Sequence, residues 1–166
     1  MTGRSHALGS VDDLRRAFDE SFAEPAVRER DDDVHVLLIR CGGTRFALRL
    51  EDVAMIVPDS PVTNLPARDP AVLGLALIRN ALVIVYDLAA LVGATASGSP
   101  RFVALAAASR KAAFAFDALE AYRRLPAAQV SDVVHLDSGA PVPVLSIASL
   151  ASGIESRADA RAKERE

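Results

Sequence analysis

The sequence predicts a mainly β protein, built as two small barrel-forming β subdomains that share one core, with short helices and an added N-terminal helix. Three observations point there. Between residues 34 and 150, short runs of β-branched and aliphatic residues are cut by Gly, Pro and Asn turns. Residues 101–119, RFVALAAASRKAAFAFDAL, lie on residues 35–53, HVLLIRCGGTRFALRLEDV, without a gap. The chain has 166 residues, so neither half is large enough to bury much alone, and two similar halves must share their apolar faces.

The elements follow in order. SVDDLRRAFDESFAE (10–24) reads as a helix. Ser10 and Asp13 make a capping-box-like start, Val11, Leu14, Phe18 and Phe22 form one apolar stripe, and Pro25 ends it. A charged linker occupies 26–33. VHVLLIR (34–40) and RFALRL (45–50) read as strands joined by a turn at Cys41-Gly42-Gly43-Thr44. EDVAMIV (51–57) reads as a short turn or helical piece leading into another strand. Pro58, Pro61, Pro66 and Pro70 punctuate a loop. LALIR (75–79) and LVIVY (82–86) read as a second hairpin across Asn80-Ala81. Asp87 caps a brief helix that Gly93 ends, and ATASGSP (94–100) is a small-residue linker.

The second half repeats the plan. Phe114 falls on Leu48, Phe116 on Leu50 and Asp117 on Glu51. Leu125-Pro126-Ala127 repeats Leu65-Pro66-Ala67. VPVLSIASL (142–150) lies on VIVYDLAAL (83–91), with Ser146 in the capping place of Asp87. The charged stretch 155–166 reads as a solvated helix end or a disordered tail. The expected organisation is therefore a helix and linker over 1–33, a folded domain over 34–153 and a charged tail over 154–166.

Composition excludes several function classes. With 19 basic and 22 acidic residues and 5% aromatics, there is neither a basic field nor a stacking platform for nucleic acid. The greasiest stretch, VLGLALIRNALVIVYDLAALVG (72–93), is long enough to span a bilayer. Arg79 and Asp87 inside it would each cost about 2.5–3.5 kcal/mol on insertion, so two strands and a helix fit it better than a membrane helix. One cysteine, Cys41, forbids an internal disulfide, and the N-terminus lacks the apolar stretch of a secretion signal; both fit the cytoplasm. His6, His35 and His135 are scattered without metal-ligand spacing. No GxxxxGK[ST] or GxGxxG loop is present. No cofactor is implied, and Cys41 beside a hairpin turn is a poor nucleophile candidate. The residues describe a scaffold that works by contact, not an enzyme.

RFALRLEDVAMIV, then PVTNLPARDPAVLGLALIRNALVIVYDLAALVG, then RFVALAAASRKAAFAFDALEAYRRLPAAQV together resemble the CheW-like chemotaxis coupling domain over about residues 34–150. The resemblance implies two five-stranded, SH3-like β-barrels around a common core. It also implies a non-catalytic adaptor that couples chemoreceptor signalling tips to the regulatory domain of a CheA-type histidine kinase. Carried over by position, the partner-contacting strand falls on Val53, Met55 and Ile56. The family's asparagine-leucine-arginine-glycine turn falls on Leu77, Ile78, Arg79 and Asn80. The arginine is retained, whereas Leu77 and Asn80 replace the asparagine and glycine, Met55 replaces a common acidic residue, and Ile84 replaces a proline. The stretch between Pro126 and Val142 is short for the family, so a peripheral strand or loop is expected to be reduced there. From the residues alone, a β-barrel peptide- or ligand-binding module unrelated to chemosensing is the alternative. Arg79 itself is expected at a hairpin tip, offered to a partner, solvated, or paired with Asp87 or Glu51.

Overall fold

A computed structural model describes residues 32–95, 100–109, 111–136 and 139–163. The helix expected over 10–24 lies outside the described residues, as does most of the linker that follows it. Strands β1 (Asp33–Cys41) and β2 (Thr44–Arg49) form the first hairpin, and a single 3-10 turn at Leu50–Asp52 leads into β3 (Val53–Pro58). After β4 (Thr63–Asn64) comes the second hairpin, β5 (Val72–Ile78) and β6 (Ala81–Asp87), then helix α1 (Leu88–Val92). The second half contributes β7 (Phe102–Ala106), β8 (Ala112–Phe116), β9 (Ala118–Pro126), β10 (Val133–Val134), β11 (Val142–Leu145) and helix α2 (Ile147–Lys163).

The strands make two sheets, ordered β10-β11-β2-β1-β9 and β3-β7-β8-β6-β5-β4. The internal repeat explains this pattern. If β1, β2 and β3 correspond to β7, β8 and β9, and β5 and β6 to β10 and β11, the two orders become one order, apart from the short β4. The third strand of each unit has changed places. β3 pairs antiparallel with β7, and β9 pairs antiparallel with β1. Each sheet therefore draws on both halves of the chain, and the two subdomains read from the sequence are not contiguous segments.

Burial follows strand alternation. One face of each sheet meets in a shared core of Leu37, Ile39, Phe46 and Leu48 with Ala104, Phe114 and Phe116, closed by Leu88 from α1 and Ile147 and Ala151 from α2. The other face of each sheet has its own cluster: Val36, Leu38, Ala47 and Val134 in the first, Ala76, Ile78, Val83 and Val85 in the second. The second sheet is curled, because Met55 and Val57 on its edge strand β3 pack against the cluster that β5 also fills. Closed barrels were expected. Among the described residues the ladders stay open, with β10 and β9 as the edges of one sheet and β3 and β4 as the edges of the other.

Local details separate correct expectations from incorrect ones. Asp87 caps α1, its Oδ1 accepting from the N–H groups of Ala89 (2.8 Å) and Ala90 (3.4 Å), and Gly93 ends the helix in the left-handed conformation. Ser146 repeats the role before α2, its Oγ accepting from the Ser149 N–H at 3.2 Å. Of the two readings of the C-terminal stretch, a solvated helix end is found, with α2 running to Lys163. The second hairpin turns one residue earlier than expected. Ile78 pairs with Ala81, so Arg79-Asn80 is the two-residue turn, and both have positive φ (48° and 62°). That geometry matches the twist of the flanking strands, and asparagine tolerates it well.

Candidate functional site

The candidate site is the outer surface of the β5–β6 hairpin. Its inner side is fixed first. Ala76, Ile78, Val83 and Val85 alternate inward and are buried in the second sheet's own cluster. The outward positions are then also apolar. Leu75 faces Ile84 and Leu77 faces Leu82 across the ladder. Leu77 is 67% exposed and Leu82 63%, and Ile84 is also exposed. An adjacent apolar pair this open on a well-packed hairpin makes this face the candidate contact surface.

Glycine and the turn shape the two ends of this surface. Gly74 has φ 153°, and a Cβ there would lie 2.0 Å from the Thr63 carbonyl oxygen, so only glycine lets β4 approach β5. At the other end Arg79 and Asn80 are exposed at the turn. Arg79 makes no ion pair among the described residues: Asp87 is committed to the α1 cap, and Glu51 sits 3.5 Å from Arg49. The surface continues past Ile84 into a groove of about 400 Å³ between β6, the β7–β8 connection and α2, lined by Tyr86, Lys111, Ile154 and Ala158. Ser109 beneath it is buried and donates to Glu155, tying α2 to that connection.

The seven residues singled out from the sequence divide into three groups. Leu77, Arg79 and Asn80 are exposed together at the hairpin end. Ile78, expected as a contact, is only 4% exposed, because alternation turns it into the core between two exposed neighbours. Val53, Met55 and Ile56 are all partly buried on β3. A bulge between Val53 and Met55 resets the alternation, so Val53 and Ile56 lean on the shared core while Met55 leans on the cluster that holds Ile78. β3 pairs only with β7, which leaves its other backbone edge open among the described residues. The sequence reading missed Leu82 and Ile84. Placing the turn at Arg79-Asn80 would have set Leu77 opposite Leu82 and revealed the pair.

The chemistry of the rest is quiet. Cys41 is buried, and its thiol is pushed up to about 12, first by burial and then by the carboxylates of Asp117 and Asp87. Such a thiol is not a nucleophile at neutral pH. Among the described residues no group of three or more His, Cys, Asp or Glu could hold a metal ion, and no helix is long and apolar enough to cross a membrane.

Comparison with known proteins gives the surface a context. A family model described as a CheW-like domain matches residues 35–154. Among solved structures, the scaffolding protein TtCheW from Thermoanaerobacter tengcongensis is similar with a TM-score of 0.59 and 16% identity, covering 67% of this chain and 87% of that one. At that identity the likeness concerns the fold. No curated protein matches the chain.

Proposed function

The chain belongs to the CheW-like domain family, and from that premise we propose that it is a non-catalytic chemotaxis adaptor that couples chemoreceptors to a CheA-type histidine kinase in the cytoplasm. The observation that carries this reading is the exposed Leu77–Leu82 pair beside Arg79, which has no ion pair among the described residues, held on a hairpin whose other face is core. A partner that covers the pair removes apolar area from water, and the arginine fork beside it supplies direction toward a carboxylate or carbonyl.

In this reading Leu77, Arg79 and Asn80, joined by Leu82, touch the partner directly. Ile78 sets their position from beneath. Val53, Met55 and Ile56 stiffen β3 and offer its edge to the same partner or a second one. The kinase's regulatory domain is the partner assigned to the hairpin, and the receptor signalling tip completes the assembly. Neither nucleic acid nor membrane insertion has a part in it.

The test is reconstitution. The chain is titrated separately with the regulatory domain of a CheA-type kinase and with a receptor signalling tip from the same organism, by calorimetry. Binding to both at micromolar concentrations is the expected result. Absence of binding to either partner at tens of micromolar would sink the proposal.

A further inference from the structure

The two sheets share one strand plan but are finished differently. In the second sheet, β5 runs for seven residues beside β6 and places Ala76 and Ile78 on the face turned away from the shared core. β10 occupies the equivalent place beside β11 in the first sheet, yet it is two residues long and places only Val134 there. The face of the first sheet turned away from the shared core is therefore less well covered, and it holds an open cavity of about 450 Å³.

The cavity has a consistent chemistry. Leu38, Ala121, Leu125 and Leu136 contribute apolar surface, while Arg45, Arg123 and His135 contribute cationic or N–H donor groups. One carboxylate, Glu120, also lines it, but its acceptors are already engaged. Oε1 accepts from Arg40 Nε at 2.8 Å and from Arg40 Nη2, and Oε2 accepts from Arg45 Nε at 2.6 Å. With Arg40, which also pairs with Glu120, three arginines and one carboxylate gather here among the described residues. Arg123 is exposed and donates at 3.0 Å only to the neighbouring Tyr122 carbonyl, so its remaining N–H groups have no partner among the described residues.

We propose that this cavity binds a small organic acid, a monocarboxylate with a compact apolar body of the size of hexanoate or benzoate. Guanidinium forks match a carboxylate in plane and spacing. Leu125 and Leu136 give a hydrocarbon body a limited apolar contact within a mostly polar wall, a contact that inorganic phosphate cannot use. The volume falls in the lower part of the range of about 300–1,000 Å³ typical of small-molecule sites. The site is separate from the hairpin surface, so it does not depend on the adaptor assignment.

The experiment is a ¹H–¹⁵N NMR titration of the full chain with hexanoate and benzoate, run against hexanol, benzamide and inorganic phosphate. Saturable shifts confined to the amides around 119–125, 129 and 135–136 are expected with the acids and not with the neutral analogues or phosphate. Arg123→Ala should weaken acid binding about tenfold, as loss of one charge-assisted bond implies, with the melting temperature unchanged. Arg123→Gln, which keeps most of the stem, gives the same reading should the alanine variant lose stability. The proposal is overturned if the acids give no saturable shifts, if a neutral analogue or phosphate binds equally well, or if both Arg123 variants bind the acids as the parent does.

Discussion

Truncating Leu77 and Ile78 one at a time should separate docking from folding at two adjacent residues. Ile78 is 4% exposed in the second sheet's cluster. Ile78→Ala removes three buried carbons and leaves a cavity, for a loss of about 2–4 kcal/mol of stability. Leu77 is 67% exposed, so only a third of its surface is buried in the free protein. With about 2 kcal/mol for complete burial of a leucine, Leu77→Ala should cost about 0.7 kcal/mol of stability. A partner that covers the remaining two-thirds gains about 1.3 kcal/mol from it, so the same substitution should weaken binding roughly tenfold. Arg79→Gly sharpens the comparison. It removes the guanidinium while relieving a positive φ that costs a non-glycine residue about 1 kcal/mol. That variant should be as stable as the parent or more so, and yet bind less well. Urea unfolding reports the stability and calorimetry with the kinase's regulatory domain reports the binding. The reasoning fails if Leu77→Ala destabilises as much as Ile78→Ala. It also fails if Leu77→Ala, Leu82→Ala and Arg79→Gly all bind as the parent does.

Three further outcomes follow from the geometry. Asp87→Ala leaves two N–H groups of α1 without their acceptor and should lower stability by about 1 kcal/mol in urea unfolding. Glu120 is held below its ordinary 4.5 chiefly by the Arg40 hydrogen bond, with Arg45 adding to it and burial opposing. A depressed carboxylate stabilises the fold above its unfolded pKa and loses that contribution as pH falls through the folded value. Glu120→Gln should therefore cost about 1 kcal/mol at pH 7, a modest figure because both arginines are half exposed, and the difference should shrink in acid denaturation below about pH 4. Cys41 should resist iodoacetamide at pH 8 in the native protein and react once urea unfolds it; reaction of the native protein at the rate of a free thiol would contradict its burial.

Much of the fold is legible locally. The alternation of Phe46 and Leu48 against Ala47 and Arg49, the caps at Asp87 and Ser146, and the repeat between the halves all depend on sequence spacing alone. What escaped depends on longer-range or less common geometry. Arginine at positive φ is uncommon, so Asn80-Ala81 looked the better turn, and that one-residue slip concealed the Leu77–Leu82 pair. The bulge beside Met55 obeys no residue pattern visible in VAMIV. β9, nine residues with charged Glu120, Arg123 and Arg124, does not read as a strand until β1 is beside it; Arg124 then pairs with Asp33 at 2.7 Å. The exchange of β3 and β9 between sheets is a property of the whole chain, and no window of sequence contains it.

That exchange bears on how a contact surface can change while the fold does not. Because β3 belongs to the second sheet and β9 to the first, neither half has a complete sheet without the other, and the shared core with both outer clusters must form together. Structure is thus carried by inward positions distributed over the whole domain: Ile39, Leu48, Phe114 and Phe116 between the sheets, Ile78, Val83 and Val85 under the hairpin. The hairpin's outward positions, Leu75, Leu77, Leu82 and Ile84, contribute little to it. Replacements there cost the fold tenths of a kcal/mol to about one, whereas under the proposed function the same residues decide what the surface can bind. Departures at Leu77, Asn80 and Ile84 are therefore changes a scaffold of this kind tolerates, since each lies outside the buried set. Under the proposed function, the adaptor's specificity and its stability sit on opposite faces of the two strands near their turn, before the outward face enters the shared core at Tyr86.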